Sequence, residues 1–178
     1  MFQTAAGVTV PFPEKLSEQY QRNGDTLTCN LSFEKLPDFV RSFYAELEEP
    51  LFLAIHPDAE SDEVWYLDGM TKKQPTLILD GYGELLYQDG LSAFAIGSLA
   101  TEEELFVQKY KVLSLYSPRN GRFEALLEQF GAVPTAHLVT AWDTFSAEYP
   151  GSASRLEIAG QTVPDMIKEL QKIGMYKG

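Results

Sequence analysis

Cysteine and histidine are nearly missing from this chain: Cys29 is the only cysteine, and His56 and His137 are the only histidines. A lone cysteine cannot close an internal disulfide, so nothing here requires an oxidising compartment. In "TLTCNLS" it falls in an alternating run, the place of a small buried hydrophobe rather than a nucleophile. A zinc site would have to be assembled mostly from carboxylates, which that ion seldom accepts in structural sites, so no metal is expected. Phosphate-binding motifs are missing too. No G-x-G-x-x-G follows a strand and no Walker loop is present, since "DGYGELL" has glycines but no lysine, so no cofactor is expected. No apolar run approaches the ~20 residues of a membrane-spanning helix. "MFQTAAGVTVPFPEK" lacks the basic and apolar regions of a secretory signal, and the expectation is a soluble cytoplasmic protein with no membrane partner. Positive charge is scarce: 14 Lys and Arg stand against 26 Asp and Glu, a net charge of -12 that repels a phosphate backbone and excludes nucleic acid as the main partner.

What is present is ample apolar content, 44% of 178 residues, enough for one domain with a real core over residues 1–178. After a short amphipathic piece, "PEKLSEQYQRNG", the turn Asn23-Gly24-Asp25 leads into a strand over Thr26–Ser32. In "FEKLPDFVRSFYAELEEP" the residues Leu36, Phe39, Val40, Phe43, Tyr44 and Leu47 recur at three and four, one stripe of a helix, with Pro37 in its first turn and Pro50 at its end. "PLFLAIHP" and "EVWYLDG" read as two strands joined by the acidic loop "DAESD". In "QPTLILDGYGELLYQDG" each Asp-Gly fits a hairpin turn, but Ile78, Leu79, Tyr82, Leu85 and Leu86 share one helical arc, which favours a helix over Thr76–Tyr87 followed by a strand in "LSAFAIG". Thr101 and Glu104 match a capping box, predicting one helical turn before a strand over Lys109–Tyr116. "GRFEALLEQFG" is a helix ended by Gly131, and "RLEIAGQT" a short strand and turn. The last helix is capped by Thr162 and Asp165, carries the stripe Val163, Met166, Ile167, Leu170 and Ile173, and stops at Gly174. The class is α+β: a mainly antiparallel or mixed sheet of about five strands with helices on one face.

"LVTAWDTFSAEYPG" mixes aromatics with hydroxyls and carboxylates beside His137. If residues 135–148 are helical, Leu138, Trp142, Phe145 and Tyr149 form a core-facing stripe. His137 and Ser146 then lie on opposite sides and roughly 13 Å apart along the axis, so no triad forms. On that expectation Trp142→Ala costs roughly 3 to 5 kcal/mol through a core cavity.

His56 has Asp58, Asp62 and Glu63 nearby in sequence, but neither "DAESDE" nor "DGYGELLYQDG" fits a calcium-binding loop, and the stretch reads as a solvated acidic loop. The carboxylates Asp58, Glu60, Asp62 and Glu63 run straight into Trp65 and Tyr66, with Asp68 beyond. A charged rim around aromatic anchors is the composition of a protein-binding surface, and a buried Trp65 in a strand is the plainer alternative. In size, charge and α+β build the chain is similar to small acidic bacterial immunity proteins, and "VPFPEKLSEQYQRNG", residues 10–24, resembles the opening of one immunity superfamily. An acidic surface is kept soluble by its charge and also meets a cationic partner quickly. The expected function is therefore a non-enzymatic acidic protein-binding module, an immunity or regulatory protein with a basic partner. The alternative is a hydrolase-type enzyme whose site is assembled from His56, Asp68 and Asp143.

Overall fold

The computed structural model describes residues 1–178, which form an α+β domain. Its elements run β1 (Val8–Thr9), β2 (Gln19–Asn23), β3 (Thr26–Asn30), α1 (Leu36–Ala45), β4 (Leu51–His56), β5 (Trp65–Met70), α2 (Lys73–Gln88) and β6 (Ala93–Ser98). They continue with β7 (Glu103–Val107), β8 (Leu113–Tyr116), α3 (Gly121–Gln129), β9 (Val133–Pro134), β10 (Ser152–Ala153), α4 (Val163–Gln171) and β11 (Tyr176–Lys177). Nine strands form one mixed sheet in the order β11-β5-β4-β6-β7-β8-β3-β2-β9, and β1 pairs with β10 apart from it. Every neighbouring pair is antiparallel except β2 and β9. No helix is long and apolar enough to cross a membrane.

The sheet is larger than the five strands the sequence suggests, because the additional strands carry little pattern. β9, β10 and β11 have two residues each, too short for any alternation. β2 reads "QYQRN" and buries only Tyr20, so it was hidden in an apparently amphipathic piece whose only helical part is a 3-10 turn at Pro13–Lys15. Its partner is set by the turn: Asn23 pairs with Thr26, and Gly24 adopts the left-handed φ of 63° that a two-residue hairpin demands. The capping box proposed at Thr101 and Glu104 does not form. Leu105 and Val107 alternate with Glu104 and Phe106 to make β7, whose ladder to β6 outweighs a local cap. β7 then returns through a 3-10 turn, Lys109–Lys111, into β8, so one predicted strand is half of a hairpin.

The helices are closer to expectation. α1 buries Leu36, Phe39, Val40, Phe43 and Tyr44, and Leu47 just beyond its end is buried as well. The hairpin alternative for residues 76–87 is excluded by α2, which buries Ile78, Leu85 and Leu86 and packs Leu79 and Tyr82 against the core. The α4 cap forms as read, with Asp165 accepting from the Thr162 backbone and hydroxyl at 3.0 Å each, although Ile173 lies past the helix and is exposed. "RLEIAGQT" contributes only an isolated bridge between Ile158 and Gln161.

Alternation assigns one face of the sheet to the helices. Leu27, Cys29, Leu51, Leu53, Ile55, Leu67, Phe94, Ile96, Leu105, Val107, Leu113 and Leu115 meet the stripes of all four helices in one cluster of 33 buried residues. Cys29 is a buried hydrophobe there, and burial pushes its thiol far up. Charges that enter this interior are matched. Glu103 is held by Arg122 and accepts from the Ser117 hydroxyl at 2.6 Å. Asp89 accepts from the amides of Ser92 and Leu156 at 2.8 and 2.7 Å and from Arg155 at 2.9 Å. Lys111 reaches under α2 to donate to the Leu86 carbonyl at 3.0 Å, one of the free carbonyls at the helix end.

Residues 135–148 are not a helix. Only Ala141–Thr144 make a turn, a 3-10 one, closed by Thr140 and Asp143. The segment is instead tied to β2 and β3: Gln21 Oε1 accepts from the Leu138 amide at 3.0 Å, and Asn30 Nδ2 donates to the Val139 carbonyl at 2.6 Å. The Leu138 amide and the Val139 carbonyl are thus committed to side chains of the sheet and are lost to a helical ladder. Trp142 is 49% exposed and Tyr149 48% exposed, which overturns the core stripe. Trp142 and Phe145 stack edge-to-face with Tyr110, ring centroids 4.9 and 4.8 Å from it; Tyr110 and Phe145 are half-buried against a second small cluster of Val10, Leu16 and Ala141, and Trp142 covers it from the surface.

Candidate functional site: the uncovered face of the sheet

The same alternation that sends apolar residues under the helices sends a second set outward. From β4 these are Phe52, Ala54 and His56, from β5 Tyr66 and Asp68, from β6 Ala95 and Gly97, and from β7 Glu104 and Phe106. β11 adds Tyr176 at the edge. Most of these residues, with Leu99 at the rim, line a cavity of about 550 Å³. No helix covers it.

Its shape follows from the register. Tyr176 pairs with Tyr66, Tyr66 with Ala54, Ala54 with Ala95 and Ala95 with Phe106, giving a row with two small side chains between aromatic walls. The neighbouring row runs from Asp68 through Phe52 and Gly97 to Glu104. Gly97 is required there, because a Cβ on it would come within 2.3 Å of the Glu103 carbonyl oxygen and 2.8 Å of the Phe52 ring. His56 closes the other side, its ring 5.7 Å from that of Phe106. The Tyr66 and Tyr176 rings are 6.0 Å apart, and Tyr176 donates its hydroxyl to Asp68 Oδ2 at 2.7 Å.

The electrostatics are one-sided. The lining contains Asp68 and Glu104 but no lysine or arginine. Glu104 makes no hydrogen bond or ion pair of its own, and burial pushes its carboxyl above the ordinary range. Burial also pulls the His56 imidazole down, which keeps it neutral near pH 7. The hydrogen bond to Asp68 raises the Tyr176 phenol. No group of three or more His, Cys, Asp or Glu is placed to hold a metal ion.

The residues singled out from the sequence are divided by this geometry. Tyr66 and Asp68 stand in the cavity with His56. Trp65, one residue away, faces the other side of the sheet, packs against the core beside Pro164 and Ile167 of α4, and donates its indole N–H to Glu63 Oε1 at 2.7 Å. A period of two makes this separation unavoidable. Asp58, Glu60 and Asp62 are exposed in the loop that leaves β4 after His56. Asp58 accepts from the Glu60 amide at 2.9 Å, Glu60 pairs with Lys109, and Glu63 lies 4.0 Å from Lys177. Asp143 is elsewhere, occupied in capping Thr140 at 2.7 Å, so His56, Asp68 and Asp143 are not brought together. Sequence reasoning missed Phe52, Glu104, Phe106 and Tyr176. The outward positions of "LFLAIH" and "EELFV" carried the signal for the first three, once both runs are recognised as strands.

The fold and site define an α+β protein with a helix-backed sheet and an open, acidic, aromatic face. Comparison of the chain with protein-family models, curated proteins and solved structures finds no match.

Proposed function

We propose that the chain is a non-enzymatic binding module that docks a basic protein partner on the uncovered sheet face, as an immunity or regulatory protein would. The observation that supports this most is the cavity lining: rings of Phe52, Tyr66, Phe106 and Tyr176 beside Asp68 and Glu104, with no cation among them. Aromatic anchors of this kind dominate interface energetics, and an unpaired carboxylate on an apolar wall is stabilised by a positive group brought to it. The net charge of -12 adds long-range attraction for such a partner. The acidic loop of Asp58, Glu60, Asp62 and Glu63 leaves β4 at the His56 end of this face, and its exposed carboxylates Asp58, Glu60 and Asp62 serve as the charged rim, while Glu63 is turned to Trp65 on the other side.

The test is an NMR titration of the labelled protein with a basic peptide at several salt concentrations. Amide shifts should concentrate on β4 to β7 and weaken as salt shortens the screening length to about 3 Å at 1 M. Shifts centred on the helical side, or insensitive to salt, refute the proposal.

A further inference from the structure

Resting on that reading, we infer that the open face recognises two arginine side chains of one extended segment, placed at positions i and i+4. Asp68 lies on β5 and Glu104 on β7, with β4 and β6 between them. Both belong to one row: Phe52 pairs with Gly97, Gly97 pairs with Glu104, and Asp68 falls opposite Phe52 between the pairs Leu53–Leu67 and Leu51–Met70. Three strand spacings of about 4.8 Å put the two backbone positions about 14 Å apart. A single guanidinium fork grips one carboxylate and cannot span that distance. The middle of the row is apolar, the Phe52 ring resting over Gly97.

Each carboxylate has its own aromatic surface, Tyr66 and Tyr176 beside Asp68, and Phe106 two residues along β7 from Glu104. A planar guanidinium stacks on such rings while it pairs with the carboxylate, which an ammonium does less well. These two acids also differ from the deeply buried ones. Glu103 has Arg122 and Asp89 has Arg155, whereas Glu104 has no partner and Asp68 has only the Tyr176 hydroxyl. The missing cations are left for the partner to supply.

The spacing selects the conformation of the segment. Residues i and i+4 of an extended chain point the same way and lie about 13 Å apart, while i and i+4 of a helix are only about 6 Å apart. Residue i+2 of the extended segment then faces Phe52 and should be apolar.

The experiment compares short peptides of the pattern Arg-Thr-Val-Thr-Arg, with Arg at both ends, at one end, or at positions one and three, by calorimetry at physiological salt. The i, i+4 peptide should bind about tenfold tighter than either single-arginine peptide. Asp68→Asn or Glu104→Gln should each abolish that gain, and Glu104→Gln should melt no lower than the parent, since Glu104 has no partner to lose. If all peptides of equal charge bind alike regardless of spacing, the two-pronged site is overturned while docking of a basic partner survives. If lysine replaces arginine without loss, the choice of guanidinium is overturned. If no basic peptide binds the folded protein, both proposals fall.

Discussion

Replacing Arg122 by Met strands a buried carboxylate. Glu103 has a fully buried side chain, and the Arg122 guanidinium on α3 reaches both of its oxygens while also donating to the Glu46 carbonyl at 3.0 Å. With Arg122 gone, Glu103 retains only the Ser117 hydroxyl at 2.6 Å and Arg119 at 3.8 Å. Breaking a buried pair on one side costs about 3 to 5 kcal/mol. Arg122 is 34% exposed, so water and Arg119 make up part of the loss, and about 3 kcal/mol at pH 7 is expected. The pH dependence has a definite sign. Burial pushes the Glu103 carboxyl up, but hydrogen bonds from Arg122 and Ser117 outweigh it and hold the group below its ordinary value of 4.5. Its contribution is thus fully present above pH 4.5 and is lost as pH falls through the lower folded value, so the deficit of the variant should shrink in acid. Urea titrations at pH 7 and pH 4 measure both effects. The double variant Arg122→Met, Glu103→Leu should recover most of the loss, because no charge is left buried. A loss under about 1 kcal/mol, or a double variant no more stable than the single one, would refute the account.

Trp142→Ala should cost about 1 to 2 kcal/mol in a denaturant titration, the worth of its edge-to-face contacts with Tyr110 and Phe145, and not the larger loss of a core cavity. Replacing Asp58, Glu60, Asp62 and Glu63 by Asn or Gln should leave stability within about 1 kcal/mol and slow association with a basic partner about tenfold at low salt, read by stopped flow. Burial pulls the Lys111 ammonium down to about 8 while the Asp89 charge opposes this. A depressed lysine makes the fold more stable as pH rises from that value toward its ordinary 10.5, so melting temperatures should show a rise between pH 8 and 10 that Lys111→Met flattens.

Local pattern was enough to read α1, α2, α3, α4, β4, β5 and β6, because the helices, β4 and β5 bury stripes whose spacing is written in the chain and β6 is a short apolar run buried throughout. Ile78, Leu85 and Leu86 decided α2 against two tempting Asp-Gly turns for this reason. Capping chemistry was legible at Thr162 and Asp165, where a helix followed, and misleading at Thr101 and Glu104, where the ladder to β6 prevailed. The same aromatic-rich pattern that suggested a core helix at Trp142 was realised as an irregular segment over a small second cluster, since Gln21 and Asn30 claimed the Leu138 amide and the Val139 carbonyl. Those partners lie more than a hundred residues away in the chain, and no local rule contains them.

The candidate site shows the same division. Its acidic character and its lack of catalytic or metal-binding motifs are properties of composition, and Tyr66 and Asp68 could be named from their neighbourhood alone. That Trp65 leaves the group follows from strand alternation. That Glu104, Phe106, Phe52 and Tyr176 join it required the strand order, which sets β11, β5, β4, β6 and β7 side by side. Sequence by itself determined which residues are outward on the strands whose pattern it shows, such as β4 and β5. Only the tertiary structure decided which outward residues meet, because sheet neighbours are chosen by long-range pairing, and because the helices happen to cover one face and leave the other open.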